Sequence, residues 1–389
     1  MNLRAKRRDL WLTRLYYLTS LGGTGFISPF LNLFYVRLGL SGTDIGLVAA
    51  IGSVVALIAA PVWTSESRKR RNPRTLLQIA LTLMALSYLW LGQQKLFWGI
   101  AFVTVIRALV GAAISPLSDS LALSVTGATK SGFGSVRVWA SMGWVVSVLS
   151  SGWLIERAGF GVGFAGVCLV SLAGVVFLFP IEPRHFAKER VQGQQTARLG
   201  TVIRDVLHNR AMVGVGLMMS IIGIANSGVG QFETVYLSTL GAKESLIGVA
   251  GMASAVVEIP CMLWADRLVR RRGAHRLLLI AMVMTGLLRG MVLLFPSVLT
   301  IMAERAIGGI SFSFYAVALI GFISEKTGPQ ETGTVLALYN VTLVSFIGIL
   351  SAPLAGAAYD MFGARPLYAI ALAGYLLGWL SLWLTRQRY

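Results

Sequence analysis

Twelve apolar runs, each long enough to carry a helix across a bilayer, constrain this chain more than any other feature. A membrane-crossing helix needs about 20 predominantly apolar residues to traverse ~30 Å of hydrocarbon. The runs lie at roughly 10–37, 43–65, 74–93, 97–124, 134–155, 160–180, 210–238, 243–265, 275–294, 298–324, 333–358 and 363–385. They are too long for barrel strands and show no alternation of apolar and polar residues. Pro29, Pro116 and Pro260 fall inside runs, which membrane helices tolerate where neighbours satisfy the freed backbone groups. Only 13% of the 389 residues are charged, against about 25% in a soluble domain. That excludes an ordinary soluble enzyme, a coiled coil and a disordered chain. The expectation is an all-α integral membrane protein of twelve transmembrane helices.

Charge then sets orientation. Lys plus Arg number 34 against 16 acids, a net charge of +18. With the N-terminus inside, 24 of the 34 basic residues fall in cytoplasmic segments and 5 in outside loops. This bias predicts a multi-pass protein of the cytoplasmic (cell inner) membrane with both termini in the cytoplasm. It also removes the need for a nucleic-acid partner. The basic start (Arg4, Lys6, Arg7, Arg8) leads into a run too long for a signal peptide, so the first span reads as uncleaved. Cys168 and Cys261 both lie in apolar runs and read as small buried residues. The longest polar stretch, 181–209, predicts a cytoplasmic linker between an N-terminal bundle, 1–180, and a C-terminal bundle, 210–389.

The halves echo each other. Leu38-Gly39 followed by Ile45-Gly46 matches Leu240-Gly241 followed by Ile247-Gly248. Each pair runs into an apolar span and then a basic loop, Ser67 to Arg71 in one copy and Asp266, Arg267, Arg270, Arg271, Arg272 and Gly273 in the other. Gly152 to Glu156 and Gly159 likewise echo Gly356 to Asp360 and Gly363. Two pseudo-symmetric six-helix bundles joined by a linker are the arrangement of a two-bundle secondary transporter.

The second basic loop resembles the helix 8–9 signature of the major facilitator superfamily, which implies the major facilitator fold. The first copy departs, because no Gly-x-x-x-Asp precedes its basic run. The stretch Phe133-Gly134-Ser135-Val136-Arg137, continuing to Gly143-Trp144, is similar to one in lactose permease and its phenylpropionate and nucleoside–proton symporter relatives. In lactose permease the Arg of this stretch pairs with an acid eighteen positions earlier, which implies a pair between Arg137 and Asp119 here. A Trp in this stretch stacks on substrate in the resembled family, which implies that role or simple packing for Trp144. Val257-Glu258-Ile259-Pro260, Tyr339 and Tyr359 to Gly363 also resemble the phenylpropionate-type group. The helix 10 His and Glu that help lactose permease couple protons have no full counterpart. His185, His208 and His275 lie in loops or at a span end, and span ten offers only Glu304 and Arg305.

A charge at the bilayer centre costs at least ~3 kcal/mol, so it persists where it pairs, lines water or moves ions. Asp119 and Arg137, near matching ends of spans four and five, read either as a solute anchor or as a structural pair. Glu258, about seven residues from a span end or ~11 Å deep at 1.5 Å per residue, has no acidic counterpart in the first repeat. It reads as a proton-coupling acid or as the partner of a neighbouring Arg. Arg289, Glu304 and Arg305 suit either a coupling network or a static one. Arg107 would contact a solute or Glu258, or else snorkel. Glu233 reads as a solvated position near the end of span seven. Asn226, Gln231, Tyr339 and Asn340 are expected to line the cavity. Gly22-Gly23-Thr24-Gly25 weakens the first span, as a hinge or as a close helix contact.

No P-loop, His-Glu-x-x-His, Cys-x-x-Cys or EF-hand pattern occurs, so an enzyme, a cofactor and a bound metal are not expected. The favoured reading is a secondary active transporter, working by alternating access with proton symport. Its solute would be a sugar, nucleoside or aromatic carboxylate. Asp119, Arg137, Trp144, Arg107, Asn226, Gln231, Tyr339 and Asn340 would contact solute. Asp119, Glu258, Arg289, Glu304 and Arg305 would carry proton coupling, and Asp266, Arg267 and Arg270 to Arg272 would gate. The alternatives are a proton-antiport exporter of sugars, lipids or drugs, and a non-transporting receptor or scaffold. Its partners would be the solute, protons and the lipid bilayer, and the working unit a monomer.

Overall fold

A computed structural model describes residues 3–69, 74–129, 132–186, 199–327 and 331–384. Arg70 and Arg71 of the first basic loop and 187–198 of the linker lie outside these residues. Among the described residues the chain is helical and has no strand. Eleven helices there are long and apolar enough to cross a membrane. The span expected at 10–37 is instead a broken helix. Its parts are α1 (Leu3–Tyr16), a π turn (Tyr17–Leu21), two 3-10 turns (Gly22–Phe26 and Ser28–Phe30) and α2 (Leu31–Arg37).

The remaining helices follow the apolar runs closely. They are α3 (Gly42–Lys69), α4 (Arg74–Gly92), α5 (Phe97–Thr129), α6 (Gly134–Ala158) and α7 (Phe160–Leu178). After the linker come the short α8 (Leu199–His208), α9 (Arg210–Thr239), α10 (Glu244–Arg272), α11 (Ala274–Leu294) and α12 (Val298–Lys326). Then α13 (Thr332–Ala337) passes through a π turn (Leu338–Leu343) into α14 (Val344–Phe362), and α15 (Ala364–Leu384) ends the described chain.

Local chemistry explains the boundaries. Asn209 caps α9, accepting from the amides of Ala211 and Met212 at 3.0 and 3.3 Å. Ser41 and Asp44 form a reciprocal cap before α3: the Asp44 amide donates to the Ser41 hydroxyl at 3.0 Å and the Ser41 amide to the Asp44 carboxylate at 3.1 Å. Gly39 and Gly241, repeat-equivalent in sequence, turn the chain with φ of +87° and +91°. Side-chain-bearing residues seldom adopt that conformation. One correction concerns the second basic loop. Asp266 to Arg272 is the last two turns of α10, because the helix continues beyond the apolar run, and Asp266 pairs with Arg270 at 2.5 Å one turn on.

By contact the chain forms two compact units. The first comprises Met1–Phe34, Ile51–Val191 and Lys243–Met252, and the second Tyr35–Ala50, Gln192–Ala242 and Ala253–Tyr389. In the first, Tyr16, Tyr17, Leu77, Leu121 and Leu178 are among the buried core. The break in the first helix lies against α6. A Cβ on Gly22 would sit 2.6 Å from Gly143 Cα, and one on Gly25 would sit 2.9 Å from the Trp144 carbonyl. The glycine run is therefore a close helix contact, and the π and 3-10 turns mark where regular helix yields to it. In the second unit Met212, Val215, Met218, Leu277 and Phe322 anchor the core.

Each unit also holds a carboxylate from one helix against the start of another. In the second, Asp360 of α14 accepts from the Gly42 amide at 2.6 Å and from the amide and hydroxyl of Thr43, both at 2.7 Å. In the first, Glu156 of α6 accepts from the Ser245 amide at 3.3 Å and pairs with Lys243 at 3.3 Å. A carboxylate at a helix N-terminus answers unpaired amides and the positive end of the helix dipole. The acids of the Gly152–Gly159 and Gly356–Gly363 echo thus share one task.

Candidate functional site

The second unit gathers four charges from three helices, three of them buried and the fourth, Arg305, half-buried. Asn226 and Glu233, seven residues apart on α9, share a face two turns long. Facing helices supply Arg289 from α11 and Glu304 and Arg305 from α12. Arg289 donates to Glu304 Oε1 at 2.7 Å and to Asn226 Oδ1 at 3.2 Å, and lies 3.9 Å from Glu233 Oε2. Arg305 donates through Nε to Glu233 Oε1. The Tyr368 ring lies beneath the Arg289 guanidinium, 5.8 Å from its centroid. Both acids are only 4% exposed. Burying any of these charges alone would be expensive, and mutual pairing offsets that cost. One demand is left over: Glu304 Oε2 is buried without a hydrogen-bond partner.

A cavity of 530 Å³ opens on this network, a size within the ~300–1,000 Å³ range of small-molecule sites. Ser227, Ser254, Thr285 and Ser311 line it, together with Phe312 and Tyr315. Polar groups converging on a partly aromatic cavity can hold a small organic molecule by hydrogen bonds and ring contact.

Glu258 lies outside this network. It is half-buried on α10, its carbonyl accepts from Ser313 Oγ at 3.0 Å, and among the described residues its carboxylate has no partner. The expected neighbouring Arg is therefore not there: Arg289 and Arg305 are engaged with Glu304, Asn226 and Glu233.

In the first unit the expected pair is open. Asp119 accepts from the Tyr17 hydroxyl at 3.2 Å, and among the described residues no ion pair joins it to Arg137. Arg137 lies in the first turn of α6 and is exposed, so it needs no carboxylate to offset burial. Trp144, two turns further on, is half-buried. Arg107 stacks on the Tyr88 ring at 4.2 Å, and its Nε is buried without a hydrogen-bond partner. Its ring partner thus lies on α4 of the same unit.

Three expected liners do not line this cavity. Tyr339 packs in the core of the second unit. It is 4% exposed, and its hydroxyl donates to the Met212 carbonyl at 2.7 Å, tying the π turn to α9. Gln231 also lies off the cavity, donating to Ser227 Oγ at 3.1 Å and reaching the Ala352 carbonyl at 3.5 Å. Asn340 is exposed and likewise does not line this cavity. Conversely, Glu233 is buried rather than solvated. Its spacing of seven from Asn226 was the available signal. Arg267, Arg271 and Arg272 are exposed at the end of α10.

A polytopic helical chain whose paired charges line a cavity falls in the class of membrane transport proteins. The chain belongs to the MFS_1 like family of the major facilitator superfamily, whose model matches residues 10–370. It is similar to a maltose permease of Geobacillus stearothermophilus, with 32% identity over 275 residues, or 69% of this chain and 66% of that one. A probable 3-phenylpropionic acid transporter of Escherichia coli K12 is 23% identical over 367 residues, 93% of this chain and 94% of that one. The solved structure of the nucleoside transporter NupG shares the fold, with a TM-score of 0.82 at 14% identity over 100% of both chains.

Proposed function

We propose that this protein is a secondary active transporter of a small polar organic solute, working by alternating access in the cell membrane with both termini in the cytoplasm. The observation that carries the proposal is the cavity of the second unit, lined by the buried Arg289–Glu304 pair and the partly buried Arg305–Glu233 pair. A purely structural network would have no need of a cavity beside it. The named substrates of the relatives, a sugar, an aromatic acid and a nucleoside, support a small organic solute.

Coupling is to protons in this reading, by symport. The Glu258 carboxylate, half-buried and unpaired, is the first candidate to take up the proton, and Glu304 the second. A proton on Glu304 weakens its hold on Arg289 and so changes the cavity wall. Asp119 and the exposed Arg137 are candidate solute contacts from the first unit. The Lys and Arg bias between alternate loops supports the orientation.

The test is uptake of labelled maltose, uridine and 3-phenylpropionate into proteoliposomes, with and without an inward proton gradient. Accumulation that a protonophore collapses is expected for at least one of the three. Uptake indifferent to the gradient would remove the symport assignment. The absence of both uptake and counterflow would remove transport of these solute classes.

A further inference from the structure

The head of the linker is seated in the core of the first unit. A 3-10 turn, Pro183–His185, follows α7 there. Ile181 before it and Phe186 after it are buried in that core. Arg74 of α4 holds the approach, donating to the Ile181 carbonyl at 3.4 Å and to the Phe179 carbonyl. Between the two apolar anchors His185 is itself only 4% exposed. The proposed transport cycle makes no use of this imidazole.

Its surroundings are specific. Ser124 Oγ of α5 lies 3.0 Å from Nδ1, and Asp9 Oδ2 of α1 lies 3.6 Å from Nε2. Asp9 has no exposed surface. Its Oδ1 accepts from Arg8 Nε and Nη2, both at 3.1 Å, and its Oδ2 accepts from the Glu182 amide at 3.4 Å. The site accommodates both protonation states of the ring. A hydroxyl donates or accepts, so Ser124 suits Nδ1 with or without a proton. Nε2 faces a carboxylate in either case. A neutral ring offers that carboxylate only a dipole. A protonated ring offers it an opposite charge where water is excluded and Coulomb attraction is largest. Arg8 does not replace this contact, because its side chain is exposed, and so screened by water, and it binds the other oxygen. The remaining charged groups around the turn are Arg74, which donates to the two carbonyls, and the half-buried Glu182. α5 carries no charged side chain from Ser120 to Thr129.

We infer that His185 is a pH-sensitive clasp: on taking up a proton it tightens its hold on Asp9 and fastens the head of the linker to α1 and α5. Histidine is the side chain that ordinarily changes charge between about pH 5 and 8. With the linker in the cytoplasm, as proposed above, the clasp reads cytoplasmic pH. The clasp itself rests neither on that orientation nor on the solute cavity.

Hydrogen exchange of the full chain in detergent tests it. The amides of Glu182, His185 and Phe186 donate to Asp9 Oδ2 and to the Glu182 and Pro183 carbonyls, so their protection reports opening of the turn. Corrected for the intrinsic pH dependence of exchange, protection in the wild type is expected to be about ten-fold higher at pH 6 than at pH 8. His185→Gln keeps a polar side chain that takes up no proton, and is expected to level the two values. Asp9→Asn, which removes the partner charge, is expected to do the same. The wild-type comparison requires no variant to fold. Equal protection at both pH values overturns the inference. Higher protection at pH 8 also overturns it, since burial then expels the charged ring. A pH dependence that survives in His185→Gln assigns the effect to another group, and one that survives in Asp9→Asn removes Asp9 as the partner; either result overturns the clasp.

Discussion

The Arg289–Glu304 pair can be weighed by a double-mutant cycle. Replacing Arg289 by Met removes the 2.7 Å contact to Glu304, the 3.2 Å contact to Asn226 and the 3.9 Å approach to Glu233. Two acids that are each 4% exposed then share one remaining cation, Arg305. Breaking a buried pair from one side costs about 3–5 kcal/mol, because a charge is left uncompensated. Glu304→Leu leaves Arg289 with Asn226 and the longer contact to Glu233, so its cost sits nearer the ~1.5–3 kcal/mol of a hydrogen bond to a charged group. The double variant removes both charges and leaves Arg305–Glu233 intact. It is expected to be more stable than Arg289→Met alone, with a coupling of about 2–3 kcal/mol. The assay is equilibrium unfolding of the four proteins in one detergent, followed by tryptophan fluorescence. Additive single effects, within about 0.5 kcal/mol, would refute the pairing as the reason these charges persist.

Three further outcomes follow from the packing. Asp360→Ala removes three acceptor contacts at the start of α3. A loss of about 1.4 kcal/mol corresponds to roughly ten-fold faster hydrogen exchange at the Gly42 and Thr43 amides, and unchanged protection there would count against the cap. Gly143→Ala drives a Cβ into the Leu18 carbonyl; overpacking of this kind costs about 1–3 kcal/mol, and an unchanged melting temperature would show that the broken helix yields freely. Tyr339→Phe orphans a buried bond to the Met212 carbonyl, and about 1–3 kcal/mol of destabilisation is expected; a neutral result would mean that water replaces the hydroxyl.

Much of the site was partly legible before folding. Arg289, Glu304 and Arg305 stood out because ionised residues in apolar runs are costly. The partner of Arg305 and second acid of the network, Glu233, did not stand out. Glu233 looks like a helix-end acid until α9 is seen to continue to Thr239 and carry it into the interior. Arg137 and Asp119 share spacing and chemistry with a known pair, yet Tyr17 takes the carboxylate. Tyr339 has the composition of a cavity residue but is turned inward by a π turn.

Hydropathy and repetition are properties of consecutive residues, so the all-helical membrane character, the apolar spans and the internal repeat could be read along the chain alone. The repeat even marked Glu156 and Asp360 as equivalent, though not what they hold. Which charge meets which depends on how each helix is rotated about its axis and where its turns depart from 3.6 residues. Close packing across helices decides that, as Gly22 against Gly143 does for the first helix. An apolar helix satisfies the bilayer in any rotation, so hydropathy leaves that angle open. Only the tertiary structure sets it, and with it the four-charge network and the cavity beside it.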